Sequence, residues 1–94
     1  METDVKVNVI KRNGEEVSFD LLKIANAIKA ANQEVAPIYQ LNEYQIQAIA
    51  DNVAAKISEM THAVHVEDIQ DMVETAIMEM RGYEVAQKYV RYRY

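Results

Sequence analysis

The chain has 94 residues and a formal net charge of −5 at pH 7; half of its residues are hydrophobic, and it contains no cysteine. This length predicts one domain, and the absence of cysteine excludes disulfides and thiol chemistry and fits a cytoplasmic location. No apolar run approaches the roughly 18 residues of a membrane span, and an acidic surface repels nucleic acid backbones. We therefore expect a cytoplasmic domain that has neither membrane nor nucleic acid as a partner.

The first predicted element is a β-hairpin over residues 5–19. Valine alternates with polar residues in the stretch 5–11, which is the period of a half-buried strand. Asn13 and Gly14 follow, the pair that a tight type I′ turn prefers because both of its central residues have positive φ. A second short strand is expected at 15–19. The side chains expected to face the core are Val5, Val7, Val9 and Val17.

Four helices are predicted after the hairpin, because apolar side chains then recur at spacings of three and four. Asp20 is expected to cap the first helix by accepting from an unpaired backbone N–H. Gly82 is expected to end the third helix as its C′ residue, and His65 is a poor cap at its start. The expected helices are 21–31, 42–60, 66–80 and 83–93.

The segment 61–66 is partly β-prone and is a candidate third strand beside the hairpin. A two-stranded hairpin is marginal alone, and no helix is apolar all round. The hairpin is therefore expected to lie across the helices. The predicted fold class is α+β, mainly α: a four-helix bundle capped by a β-hairpin or a small three-stranded mixed sheet.

Three cations gather around the hairpin of this acidic chain. Lys11 and Arg12 directly precede the Asn-Gly turn, and Lys23 lies one turn into the first helix. Most exposed cations have no function, and the interpretation as solvated surface charge stays open here. However, Gly14 allows a ligand to approach the backbone closely, and an apolar crevice is expected beside the cations. Its expected lining is Val9, Val17 and Ile24.

Four motifs in order along the chain resemble the ATP-cone, the regulatory nucleotide-binding domain of many ribonucleotide reductases and of the repressor of their genes. They are V-x-K-R-N-G at 9–14, V-x-F-D-x-x-K-I at 17–24, V-x-x-I-x-x-x-V-E at 66–74 and V-A-x-x-Y-V-x-Y-R at 85–93. The resemblance implies a four-helix bundle covered by a small mixed sheet. It also implies that ATP or dATP binds beneath the hairpin as effector, with Mg²⁺ as a further candidate ligand.

The resemblance implies roles for particular side chains. Lys11, Arg12 and Lys23 would hold phosphates, and Asp20 would accept from a ribose hydroxyl besides capping its helix. Gln70 would add a contact from the third helix. The valines, together with Ile24, would line the base or the sugar. The implied nucleotide-binding set is Val9, Lys11, Arg12, Gly14, Val17, Asp20, Lys23, Ile24, Val66 and Gln70.

No catalytic constellation is present, since neighbouring carboxylates such as Glu67 and Asp68 cannot face each other across a substrate. The radical chemistry of the reductases needs cysteine, so we expect a regulatory domain and not an enzyme. Residues 1–94 are expected to be one domain from the N-terminus of a larger, anaerobic ribonucleoside-triphosphate reductase, because the chain stops directly after the last motif. The expected partners are a purine nucleoside triphosphate, the catalytic domain of that reductase and further copies of the subunit.

Two rival functions are considered. A helical protein-interaction module that has lost its nucleotide site is disfavoured by the three cations. The ATP-cone of the transcriptional repressor is the second rival, but that family places a cysteine-rich zinc ribbon before the cone, and only eight residues precede Val9. His62 and His65 are too few for a metal site. The closing segment 89–94, rich in tyrosine and arginine, is expected to be an interaction surface or a junction.

Overall fold

A computed structural model describes residues 7–92. Its elements are β1 (Asn8–Ile10), β2 (Glu16–Ser18), α1 (Leu21–Gln33), a 3-10 turn (Pro37–Tyr39), α2 (Glu43–Ser58), β3 (Val64–His65), α3 (Val66–Glu79) and α4 (Tyr83–Tyr89). This part of the chain therefore has the predicted α+β, mainly α architecture, with four helices and a small mixed sheet. Val5 and Arg93, which the sequence placed in a strand and a helix, lie outside the described residues.

The three strands form a sheet in the order β2–β1–β3. Val9 of the central strand is paired antiparallel with Val17 and parallel with Val64. Val9 and Val64 are buried and Val17 is half-buried, so one face of the sheet packs on the helices. The third strand gives the hairpin (residues 8–18) a second neighbour, which stabilises a unit that is marginal alone.

The turn of the hairpin is not the predicted type I′ turn. Gly14 has a φ of 90°, but Asn13 does not have a positive φ. The Gly14 N–H donates to the Lys11 carbonyl at 2.8 Å, and the Lys11 N–H donates to the Glu15 carbonyl at 2.8 Å. This pattern is a three-residue turn closed by a glycine bulge. Asn13 instead uses its side-chain oxygen, which accepts from the Glu15 N–H at 3.0 Å.

The helices bury the apolar stripes that their periodicity predicted. Burying one such aliphatic side chain stabilises the fold by roughly 1.5–3 kcal/mol. Met60 follows the end of α2 and is half-buried. The predicted fourth helix, 83–93, is too long: α4 ends at Tyr89, and Val90, an apolar residue of the predicted range, is 46% exposed. The least exposed stripe residues are Ile28, Ile49, Val53, Ile57, Val73, Ile77, Val85 and Tyr89.

Side-chain caps define two of the helix starts. Asp20 caps α1 as predicted, since its Oδ1 accepts from the Leu22 N–H at 3.0 Å. Asn42 and Gln45 form a capping box at α2, in which each side chain accepts from the other's backbone N–H at 2.8 Å. His65 makes no side-chain capping bond, as expected, and β3 continues into α3 without a connecting residue.

Gly82 was predicted to be the C′ residue of α3, but the helix ends one residue earlier. Arg81 has a φ of 63° and takes the C′ position. Its N–H donates to the Met78 carbonyl at 2.8 Å, and the Gly82 N–H donates to the Ile77 carbonyl at 3.0 Å, which is the Schellman pattern. Gly82 lies in a tight space, because a Cβ there would lie 3.1 Å from Ile77 Cγ2 and 3.2 Å from Leu41 Cδ2.

The segment after α4 contacts the end of α1. Arg91 Nη1 donates to Glu34 Oε1 at 3.5 Å, and the Tyr92 hydroxyl donates to Oε2 of the same carboxylate. Glu34 is the C-cap residue of α1. These contacts fix the described part of the tyrosine- and arginine-rich segment against the bundle.

Candidate functional site

A cleft of about 360 Å³ lies between the hairpin, the start of α1 and the start of α3. Small-molecule sites in proteins have volumes of roughly 300–1,000 Å³, so the cleft is large enough for a ligand. We call it the hairpin cleft. It is lined by Val9, Lys11, Arg12, Asn13, Val17, Ser18, Phe19, Asp20, Lys23, Ile24, Val66 and Ile69.

The hairpin cleft brings together all the predicted site residues except Gly14 and Gln70. Gly14 lies at the tip of the turn, where an added Cβ would have no atom within 4 Å. Gln70 is only 1% exposed, and its Oε1 accepts from Arg12 Nη2 at 3.4 Å. Gln70 is therefore connected to the cleft through the Arg12 side chain, while Gly14 shapes the turn that carries the cations.

Some lining residues were not predicted as site residues. Phe19 follows Val17 by two positions and so shares its side of the extended chain, and Ile69 follows Val66 by nearly one helical turn. The periodicities of strand and helix were therefore sufficient to find both. Asn13 and Ser18 also line the cleft, and no sequence pattern distinguished them from other polar surface residues.

The floor and the rim of the cleft differ in chemistry. Val9, Ile24 and Val66 are buried apolar residues that form the floor. At the rim, the side chains of Lys11 and Arg12 are 50% and 54% exposed. An apolar floor suits a planar ring, and a cationic rim suits an anion. Opposite unit charges about 4 Å apart attract by roughly 1 kcal/mol in water and 4 kcal/mol at an effective dielectric constant of 20.

Both rim cations of the hairpin have carboxylate partners. Lys11 Nζ lies 3.6 Å from Glu15 Oε1, and Arg12 Nε donates to Glu67 Oε2 at 3.3 Å. Because all four side chains are at least half exposed, each pair contributes only about 0–1 kcal/mol. A multiply charged anion can therefore replace these carboxylates at little energetic cost.

Among the described residues there is neither a metal-binding cluster nor a membrane-spanning helix. Within residues 7–92, no three or more histidine, aspartate or glutamate side chains are grouped so that they could hold a metal ion. In the same range, no helix combines the length and the apolar character that crossing a bilayer requires. The hairpin cleft combines cationic side chains with an apolar floor in a ligand-sized space.

The fold is that of a small α+β domain whose sheet and helices enclose a ligand-sized cleft with a cationic rim. The sequence profile of the ATP cone domain family matches residues 7–94. The chain belongs to the ATP-cone family, which confirms the resemblance carried by its four motifs.

Curated relatives are ribonucleotide reductases. The chain is 32% identical over 87 residues to the anaerobic ribonucleoside-triphosphate reductase of Haemophilus influenzae, a match covering 92% of this chain and 12% of that protein. It is 30% identical over 95 residues to the ribonucleoside-diphosphate reductase subunit alpha of Chlamydia trachomatis serovar D, covering 93% of this chain and 9% of that protein. The chain thus spans about a tenth of the length of these relatives.

Proposed function

We propose that the domain binds ATP or dATP in the hairpin cleft and thereby regulates the overall activity of a larger ribonucleotide reductase. One observation carries the proposal: Lys11, Arg12 and Lys23 share a single cleft with an apolar floor. Membership of the ATP-cone family supports a nucleotide as the ligand. The reductases among the relatives support the regulated enzyme and disfavour the rival interpretation as a repressor.

In this proposal the three cations hold the phosphates at the rim. The base lies on the floor formed by Val9, Ile24 and Val66, and Val17 covers it from the hairpin. Burial of the ring contributes about 25 cal/mol for each Å² of apolar surface removed from water. Each charge-assisted hydrogen bond to a phosphate contributes roughly 1.5–3 kcal/mol.

Isothermal titration calorimetry with ATP tests the binding. We expect Lys11→Ala and Lys23→Ala each to weaken binding about tenfold or more, since each removes a charged donor. Lys29→Ala is the matched control, because Lys29 is an exposed lysine of α1 outside the cleft lining. An unchanged affinity in Lys11→Ala, or no binding by the parent chain at millimolar ATP, contradicts the proposal. The same result would favour the rival protein-interaction module.

Asp20 is proposed to distinguish ATP from dATP. Its Oδ1 caps α1, and Asp20 is also a lining residue of the cleft, where its carboxylate would accept from the ribose 2′-hydroxyl that dATP lacks. Asparagine is an equally good cap, so Asp20→Asn changes the charge without removing the cap. We expect this variant to reduce the difference between the ATP and dATP affinities. A difference unchanged from the parent chain excludes this role for Asp20.

We propose that Mg²⁺ enters the cleft with the nucleotide, since Mg²⁺ binds mainly through phosphates and retains several waters. No separate protein site for it is invoked. Titrations with ATP in Mg²⁺ and in EDTA test this point. Equal affinities in the two conditions would exclude a bridging role for the ion.

Regulation is proposed to act through association. A triphosphate clamps the hairpin onto the bundle, and the altered surface changes contacts with the catalytic domain and with further subunits. Ile38 and Tyr44, which are exposed and lie outside the cleft lining, are candidate contact residues. Sedimentation velocity of the whole parent protein, with and without ATP or dATP, tests this. An unchanged sedimentation coefficient with both nucleotides excludes it.

We propose an anaerobic ribonucleoside-triphosphate reductase as the parent, with this domain at its N-terminus in the cytoplasm. The relatives include both that kind of enzyme and a diphosphate reductase at similar identity. Sequence identity therefore supports the two kinds of parent enzyme equally. Assays of the parent protein with ribonucleoside triphosphates and diphosphates separate them. Reduction of diphosphates alone excludes the anaerobic type.

A further inference from the structure

Arg12 connects the hairpin to α3 across the mouth of the cleft. Its Nε donates to Glu67 Oε2 at 3.3 Å, and its Nη2 donates to Gln70 Oε1 at 3.4 Å. The partners lie 55 and 58 residues further along the chain. They differ in kind: Glu67 is a charged side chain that is 70% exposed, whereas Gln70 is neutral and buried.

Glu67 accepts a hydrogen bond from Arg12 Nε, the donor that a phosphate would use. Carboxylate and phosphate bind the guanidinium fork in the same way, through charge-assisted N–H···O bonds in its plane. Glu67 is not itself a lining residue of the cleft, but its carboxylate accepts from the side chain of Arg12, which is one. Glu67 also lies in the first turn of α3, where the helix dipole stabilises a negative charge. A phosphate on Arg12 Nε must therefore displace this carboxylate.

We propose that Glu67 is a built-in competitor for the phosphate that sets the affinity of the hairpin cleft. In the nucleotide-free protein, Glu67 holds Arg12 across the mouth; when nucleotide binds, a phosphate oxygen takes its place on Nε. Gln70 keeps its hydrogen bond to Nη2 in both states and so keeps the guanidinium at the rim. This inference rests on the proposed function, since it assigns a role to Glu67 in that same site.

Calorimetric titrations of ATP and of inorganic tripolyphosphate into the parent chain and two variants test the competition. We expect Glu67→Gln to bind both anions about twofold to fivefold more tightly than the parent chain, the size of an exposed ion pair. Asp68→Asn is the matched control, because it removes the same charge from the same turn of α3, and the described structure gives Asp68 no hydrogen bond to Arg12. It should change the affinity by less than twofold. Circular dichroism verifies that each variant is folded.

A double variant shows whether Glu67 acts through Arg12. In an Arg12→Ala background, Glu67→Gln should no longer improve binding, because residues that act through one contact are not additive. An equal gain with and without Arg12 overturns the proposal in favour of general electrostatic repulsion. The same conclusion follows if Asp68→Asn improves binding as much as Glu67→Gln.

A measurement without nucleotide separates this inference from the proposed function. In the ¹H–¹⁵N spectrum of the nucleotide-free chain, the Arg12 Nε–Hε resonance should move in Glu67→Gln and stay in place in Asp68→Asn. An unmoved resonance overturns the competition. If the resonance moves and tripolyphosphate binds more tightly to Glu67→Gln while ATP binds to no variant, the role of Glu67 stands and the nucleotide assignment fails. If neither anion binds to any variant, both proposals fail.

Discussion

The interior of the bundle and the rim of the hairpin cleft contrast sharply in how they are stabilised. Ile28, Val53 and Ile77 have no exposed surface, and their burial supplies much of the free energy of folding. Lys11 and Arg12 are half exposed, and the carboxylates that pair with them are exposed as well. The bundle interior and the cationic rim thus consist of different residues, so the charge of the rim can be altered without emptying the core, whereas the floor residues Val9, Ile24 and Val66 belong to the core as well.

The largest expected effect comes from emptying the interior. Ile28→Ala should lower the free energy of unfolding by about 2–5 kcal/mol, through lost burial and a residual cavity. Ile38→Ala, which truncates an isoleucine that is 83% exposed, should change it by less than about 0.5 kcal/mol. Urea denaturation followed by circular dichroism measures both. Similar losses in the two variants would mean that the core is not packed as described.

The two glycines provide the next comparison, because one lies in the bundle and one in the hairpin. Gly82→Ala should destabilise the chain by about 1–3 kcal/mol, since its Cβ would press on Ile77 and Leu41. In Gly14→Ala the added Cβ would lie in open space. The alanine would, however, have to adopt the positive φ of Gly14, which costs a non-glycine residue about 1–2 kcal/mol.

Thermal unfolding and ATP titration separate the two glycines. We expect Gly82→Ala to lower the melting temperature without altering the affinity of the remaining folded protein. We expect Gly14→Ala to weaken ATP binding as well, because it disturbs the turn that carries Lys11 and Arg12. Loss of binding in Gly82→Ala alone would contradict the separation of the two regions.

A smaller effect is expected at the start of α2. Asn42→Ala removes the capping box with Gln45 and should cost about 1 kcal/mol of stability. Asn52→Ala is its control, since Asn52 is exposed within the same helix, where alanine has the higher helix propensity. Chemical denaturation should show a loss for the first variant and none for the second. A loss in both would indicate a general effect of asparagine on α2.

The smallest stability effect is expected at the rim. Lys11→Ala removes only an exposed ion pair and should change the free energy of unfolding by less than about 0.5 kcal/mol. ATP should raise the melting temperature of the parent chain, because a ligand that binds only the folded state stabilises it. That increase should largely disappear in Lys11→Ala. A large loss of stability without ATP would show that Lys11 supports the fold itself.

The sequence predicted the helices and the sheet because both depend on local periodicity. The apolar stripes of α1 to α3 were predicted from the sequence, because apolar residues at spacings of three and four lie on one face of a helix, however the helices pack. The predictions fail at the ends of helices, where a single contact decides the conformation of one residue. Arg81, not Gly82, adopts the left-handed C′ conformation, and Gly82 lies close to Leu41. A neighbour 41 positions away in the chain is not visible in local spacing.

The hairpin turn and the cleft also have features that local sequence patterns do not predict. Asn13-Gly14 is compatible with a type I′ turn and with the observed glycine bulge, and the side-chain bond of Asn13 to Glu15 accompanies the bulge. The cluster of Lys11, Arg12 and Lys23 was predictable because the hairpin leads directly into α1. The contact of Arg12 with Glu67 was not, because it depends on how α3 packs against the turn.

The sheet is tethered to the bundle by very short connections. Two residues, Phe19 and Asp20, join β2 to α1, and none separates β3 from α3. Both outer strands of the sheet are therefore anchored close to the helices. The sheet as a whole has little freedom to move relative to the bundle. The turn at 11–15 projects beyond these anchors. We therefore expect closure over a bound nucleotide, as proposed above, to bend this turn and to leave the sheet as a whole in place.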